Sequence, residues 1–319
     1  MSIDAYGRLP IIPERTLRRH DAYEPGDTRF RAAARLQQAL WRERNGWKSG
    51  YQTSPNGKRR RIGNCIGQVP AGLGANFISG EIAKLARLEL SFREDGALID
   101  EARLSANLLS SMPLTFNLFG AMRLDLKLAS RLFKRLFPRF VRIVTGILFE
   151  HAPARGNPNF TADYTAFDVL IQCRTVDGKS GFIAIEVKFS ETMTEPAARL
   201  RPRYDELSAS CGCFRHPDNP ALRTSPIQQF WRQHMLAASM LQAGLYDTGR
   251  FVVVAPIFNN QVQNAIAAFR SQIADEAPVR FDAVTLETLV ETIGKTDAKE
   301  AAAALHQRYC NFEPVAALV

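Results

Sequence analysis

Apolar and polar positions change their period twice along the 319-residue chain. Up to about residue 60 the sequence is rich in Arg, Pro and Gly and predicts one helix, over residues 30–44 (FRAAARLQQALWRER). Residues 54–61 (SPNGKRRR) read as an exposed basic loop. Residues 63–80 (GNCIGQVPAGLGANFISG) read as a structural or nucleic-acid-approaching loop, and not as a phosphate loop, because no Gly-Lys-Ser/Thr ending follows the glycines. From Glu81 the apolar positions fall three and four apart. GEIAKLARLEL and LIDEARLSANLLSSM therefore predict helices, with Pro113 interrupting or restarting the second. LDLKLASRLFKRLF is a third amphipathic stretch and must stop at Pro138.

Beyond Pro138 the period becomes two. Residues 139–150, 166–175 and 181–190 predict three successive strands. A helix is expected over residues 226–246, capped by Ser225 with Pro226 at its first position. An apolar strand (RFVVVAPIF), a short strand near Val279 and a helical region from TLETLVETI to about Phe312 complete the chain. The order of helix, three strands, helix and strand defines an α/β core. Three parts are expected: a basic N-terminal extension with one helix (1–62), the α/β domain (63–295), and a C-terminal helical segment packed on it (296–319).

The second and third strands carry the sharpest pattern. With residues 176–180 (VDGKS) as the loop, Asp168 lies opposite Lys188 and the two faces separate. One collects Phe167, Val169, Ile171 and Cys173 with Ile183, Ile185, Val187 and Phe189. The other collects Asp168, Leu170, Gln172 and Arg174 with Phe182, Ala184, Glu186 and Lys188. A slip by one residue would bring charges into the core, so Asp168, Glu186 and Lys188 share a side.

Composition adds three constraints. Hydrophobic residues make up 46% of the chain and charged residues 23%, enough for a packed core. The net charge of +9 favours a polyanionic partner through counterion release. Five cysteines, an odd number without regular spacing, do not make a secreted disulfide framework. The N-terminus has no apolar signal core, and the longest apolar runs are far short of the ~20 residues that cross a bilayer. A cytoplasmic protein without a membrane partner is expected.

The chemistry follows from the shared face. Two carboxylates about 4 Å apart repel by roughly 4 kcal/mol at an effective dielectric of 20. A divalent cation, protonation or exposure relieves that repulsion. Mg²⁺ needs few carboxylates and completes its shell with water and phosphate oxygens. A lysine two residues from one ligand can hold or deprotonate a water, or steady charge on phosphorus. The plainer reading is a surface face with a Lys188 salt bridge. Elsewhere Cys211, Cys213 and His216 lack a fourth ligand for tetrahedral zinc, and Ser110 and Ser111 have no His–Asp pair.

FTADYTAFDVLIQC followed by GFIAIEVKFSE resembles the core of the PD-(D/E)XK nuclease superfamily, in particular a bacterial restriction endonuclease-like group with an AFD…IEVKYxE pattern. SSMPLTFNLFG, FEHAP and QQFWRQHMLA are similar in the same order, so the resemblance covers roughly residues 80–295. It implies a mixed central sheet flanked by helices in αβββαβ order, a Mg²⁺ (or Mn²⁺) cofactor, and hydrolysis of nucleic-acid phosphodiesters, with double-stranded DNA as substrate. Asp168 and Glu186 match the metal-binding acids and Lys188 the catalytic lysine; Phe167 stands where the motif proline is usual. The Val187 backbone carbonyl and Glu150 are further candidate metal ligands, and Glu81 or Glu101 candidates for a carboxylate on the first core helix. Gln229 and Arg232, on one helix face with Gln233, are candidates for substrate phosphate or for support of the acids. Lys58, Arg59 and Arg60 are candidate phosphate contacts. By analogy with the superfamily a homodimer is expected. The alternatives are a non-catalytic nucleic-acid-binding protein of this fold, and an α/β interaction protein with an incidental acidic pair.

Overall fold

In the computed structural model, which describes residues 9–53 and 57–319, the period-two segments pair into sheets. Strands β1 (Ser49–Thr53) and β2 (Arg59–Ile66) form an antiparallel ribbon. Strands β3 (Val141–His151), β4 (Phe167–Thr175), β5 (Ser180–Val187), β6 (Thr248–Ala255) and β7 (Val279–Thr285) form one five-stranded sheet in chain order. The first three are antiparallel neighbours, and β6 and β7 add in parallel. A parallel neighbour requires a crossover. Helices Gln228–Gln242 and Asn260–Arg270 lie in the two crossovers. The architecture is the mixed, helix-flanked α/β sheet that the change of period predicts.

Alternation along the strands buries both faces. Val169, Ile171, Ile183, Ile185 and Val187 join a core with Phe30, Leu36, Phe116 and Leu289. Leu170, Phe182, Ala184, Phe251 and Val253 join a second core with Trp231 and Met235 of the Gln228–Gln242 helix. Each large apolar side chain buried this way contributes about 1.5–3 kcal/mol. Phe167 departs from the alternation and packs with the second core, at the strand's entry.

Several local expectations change. The β4–β5 loop is four residues long, 176–179, and not five. The Thr175 N–H donates to the Lys179 carbonyl at 3.0 Å, and Gly178 takes a left-handed φ of +84° that suits the tight turn. The register moves by two residues, so Val169 pairs with Ile185 and Ile171 with Ile183. An even shift keeps every side chain on its face. The helix expected at Pro226 starts at Gln228 and ends at Gln242. Its entry is closed by the Thr224 carbonyl, which accepts from Gln228 N–H at 3.0 Å, with no side-chain cap. Pro113 restarts a helix, Ser111–Leu124, and sits in its first turn, where a missing N–H leaves no bond unmade.

The N-terminal third is more regular than its composition suggests. Arg59 to Arg61 are strand residues of β2 and not loop, while residues 54–56 of the basic stretch lie outside the described residues. Gly63 to Ile66 continue that strand, and Gln68–Gly72 is a short helix, so only part of the glycine-rich segment is loop. The boundary expected at residue 62 falls inside β2. Helix Arg29–Arg44 contributes Phe30, Ala33 and Leu36 to the sheet's own core. Arg308, buried near the C-terminus, donates to Gln38 Oε1 at 3.2 Å and to Asn76 O and Oδ1 at 2.7 and 2.6 Å, joining all three expected parts.

Candidate active site

Leu148 pairs with Leu170, and Leu170 with Ala184, across β3, β4 and β5. This apolar row ends the cover of the sheet face beneath helix Gln228–Gln242. The next row in the same register is acidic. Glu150 stands between the pairs Phe149–Val169 and His151–Phe167, hence beside Asp168, and Glu186 follows Ile185 on the far side of Asp168. Directly opposed strand residues have Cβ atoms about 4.5–5.5 Å apart. The row therefore sets three carboxylates as neighbours, where the sequence alone separated only two with assurance of face. Glu150 has a left-handed φ of +46°, uncommon for a residue with a Cβ, and the Arg155 guanidinium donates to its carbonyl.

Each acid is held differently. Asp168 Oδ2 accepts the Val187 N–H at 2.7 Å. Because the N–H and C=O of one strand residue point the same way, the Val187 carbonyl also faces β4. Glu186 is nearly saturated: Oε1 accepts from Lys188 Nζ at 2.7 Å and Gln229 Nε2 at 2.8 Å, and Oε2 from Gln233 Nε2 at 2.5 Å. Lys188 Nζ also donates to Gln229 Oε1 at 2.8 Å. Gln229 and Gln233 are four apart on one helix, so both amides face the same strand residue. Gln229 thus grips Glu186 and Lys188 rather than reaching outward. Arg232 turns to Asp163 Oδ2 and Thr165 Oγ1, both at 2.9 Å. Asp163 in turn accepts from Thr161 and Tyr204, fixing the segment that leads into β4. Among the described residues no three His, Cys, Asp or Glu side chains already close on a common point.

The electrostatics express crowding. Burial, and then the neighbouring Glu186 charge, push the Glu150 carboxyl up to about 7. Burial, Glu186 and Glu150 raise Asp168 well above the usual carboxylate range. For Lys188, burial favours the neutral amine, but Glu186, Glu191 and Asp168 override it and hold the ammonium above the usual lysine range. Lys188 is therefore a positive charge and a hydrogen-bond donor in this arrangement.

The row forms the floor of a cleft of about 950 Å³. Arg103, Arg155, Arg199, Arg201 and Arg232 stand in its walls, as do Gln229 and Gln233. One wall is the irregular segment 188–201 between β5 and helix Pro202–Ser210. Gln228 clips it in place: its amide accepts the Ala198 N–H and donates to the Ala198 carbonyl, both at 2.7 Å. Lys58, Arg59 and Arg60 are not brought to the cleft. They lie on or beside the ribbon, with Arg59 over the Tyr51 ring at 4.8 Å and Arg60 paired with Glu24. Glu81 and Glu101 are exposed on other helices and do not line it. Gln233 and Asp163 were missed as site-building residues. The four-residue spacing from Gln229 was a signal for the first; nothing in the sequence marked the second.

A five-stranded mixed sheet with two acids and a lysine on its antiparallel hairpin, under a crossover helix, is a restriction endonuclease-like fold. The chain belongs to the PD-(D/E)XK nuclease superfamily, whose family profile matches residues 25–311. No curated protein and no solved structure matches it. Among the described residues no helix is long and apolar enough to cross a membrane.

Proposed function

We propose that this protein is a divalent-cation-dependent nuclease that hydrolyses phosphodiester bonds in DNA, acting in the cytoplasm. The observation that carries the reading is the row Glu150–Asp168–Glu186 with Lys188 bound to its last member, at the floor of an arginine-walled cleft.

The donor set fits a hard cation. It is all oxygen, and the two carboxyls with raised proton affinity are those whose charge lacks a cationic side chain at hydrogen-bond distance. Asp168, Glu186, Glu150 and the Val187 carbonyl would hold Mg²⁺ or Mn²⁺. When bound there, the ion supplies Lewis acidity toward a phosphoryl oxygen and acidifies water. Lys188 hydrogen-bonds the attacking water and offsets charge growing on the phosphoryl oxygens. Gln229 holds the Lys188 ammonium in place, and Gln233 fixes the Glu186 carboxylate. Arg103, Arg199 and Arg201 of the walls receive backbone phosphates.

Cleavage of duplex DNA, single-stranded DNA and RNA, assayed in Mg²⁺, Mn²⁺ and EDTA, tests this reading. Cation-dependent cleavage that EDTA abolishes is expected. Binding without cleavage in either metal, unchanged by Lys188→Ala, would establish the non-catalytic alternative.

A second test needs no substrate. The folded state keeps a proton on Glu150 up to about pH 7, whereas the unfolded chain releases it near 4.5. The folded state binds more protons across that window, so cation-free stability falls as pH rises through it, by about 1–3 kcal/mol. Mg²⁺ should raise the melting temperature strongly above pH 7 and weakly below pH 5. A shift of equal size at both ends would exclude these carboxylates as the binding site.

A further inference from the structure

The cleft walls carry two kinds of group that make no hydrogen bond or ion pair with the acidic row. Arg103, Arg199 and Arg201 have no acidic ion-pair partner among the described residues. Arg103 reaches Ser110 Oγ at 3.4 Å, and Arg201 donates to the Ala162 carbonyl at 2.6 Å. Around the same cleft, Leu98, Tyr164 and Leu200 are left 74%, 57% and 49% exposed. Large apolar side chains gathered at one cleft and left in water mark a surface that a ligand covers.

Tyr164 is a fixed platform. Its ring lies on Gly96, where an added Cβ would come within 2.5 Å of a ring carbon. Arg155 Nη1 donates to the Tyr164 carbonyl at 3.3 Å. The tyrosine is held against Gly96 and stays exposed at the cleft that the three arginines also line.

Duplex DNA turns phosphates and sugars outward and keeps its base faces stacked inside, showing only base edges in the grooves. It would satisfy the arginines and leave the ring and leucines uncovered. A single strand supplies both chemistries, phosphates for a basic groove and free base faces for stacking.

We propose that the cleft takes a single-stranded segment of nucleic acid, with phosphates on Arg103, Arg199 and Arg201 and bases against Tyr164 and Leu200. The assignment rests on the nuclease reading and replaces the double-stranded substrate that the resemblance implies.

Fluorescence anisotropy of the full chain, in Ca²⁺ to hold back cleavage, tests it with labelled oligothymidylate, oligouridylate and a blunt duplex. At least one of the two single strands should bind on the order of tenfold or more tighter than the duplex, and Tyr164→Ala should weaken that strand on the order of tenfold. Tyr164→Phe should restore it, and neither change should alter duplex binding. Tyr164 is surface-exposed, so circular dichroism should show both variants folded. Duplex binding as tight as single-strand binding, or single-strand affinity indifferent to Tyr164→Ala, overturns the assignment and leaves the nuclease reading standing. No binding of any of the three probes overturns both.

Discussion

Lys188→Ala should lower the rate of phosphodiester cleavage by about 10²–10⁴-fold, in the range of losing a positioned proton-transfer or charge-stabilising group, with little change in substrate affinity. The reason is geometric. Lys188 Nζ is 2.7 Å from Glu186 and 2.8 Å from Gln229, so its position is fixed from two sides before any substrate arrives. Its charge is retained by Glu186, Glu191 and Asp168, so it acts as an ammonium and not as a free base. Lys188→Arg keeps the charge but not the compact reach, and should recover little of the rate. Lys188→Met separates packing from charge, since the buried stem is filled while Glu186 keeps its two glutamine donors. Single-turnover cleavage and anisotropy on the same substrate decide the matter. Equal rates in wild type and Lys188→Ala would remove Lys188 from the chemistry.

Arg308→Met should cost about 3 kcal/mol or more of stability and leave a single unfolding transition. The guanidinium is buried and stacks 4.0 Å from the Trp41 ring centre while donating to Gln38 and to both oxygens of Asn76. Removing it strands two buried acceptors, Gln38 Oε1 and Asn76 Oδ1, at roughly 1–3 kcal/mol each where nothing else relaxes to meet them, while the Asn76 carbonyl keeps Asn117 Nδ2 at 3.1 Å. These acceptors belong to the N-terminal helix and to the segment before residue 80, and Arg308 itself to the C-terminal region. The three regions should therefore melt together. Urea denaturation followed by fluorescence of Trp41 and Trp47 in a Trp231→Phe background, against circular dichroism for the whole chain, should give coincident midpoints. Separate midpoints would show that the N-terminal extension unfolds on its own.

The sheet was legible because a half-buried or fully buried strand must alternate its faces. The two-residue error in register did not matter to that alternation, which is why the sharing of a face by Asp168, Glu186 and Lys188 survived a wrong loop length. The start of the crossover helix was not legible. Ser225-Pro226 has the composition of a helix entry, but the chain closes through the Thr224 carbonyl, a backbone contact that side-chain types do not announce. Gln229 and Arg232 read as groups for substrate phosphate or for support of the acids because both are polar on one helix face. Whether such a residue points to solvent or to a strand depends on the helix's rotation over the sheet. The rotation here commits Gln229 to Glu186 and Arg232 to Asp163. Glu150 was reachable as a strand-end acid, but its place beside Asp168 depends on bulges in β3 that shift pairing between Val144 and Gly146.

The Gln228 clip on Ala198 bears on how this cleft can change over generations. A strand in a sheet has its register fixed by every neighbour, so an insertion anywhere in it disturbs the whole ladder. The wall opposite the acids is held by side chains that each grip single peptide units, Gln228 on Ala198, Ser225 on the Glu195 carbonyl and Asn259 on the Glu191 carbonyl, and the stretch before Ala198 carries no ladder of its own. Residues can be gained, lost or exchanged there without moving the three strands that carry the carboxylates. Variation in what the cleft accepts can thus accumulate in a short exchangeable segment, while the chemical floor stays under the strict rule of the sheet.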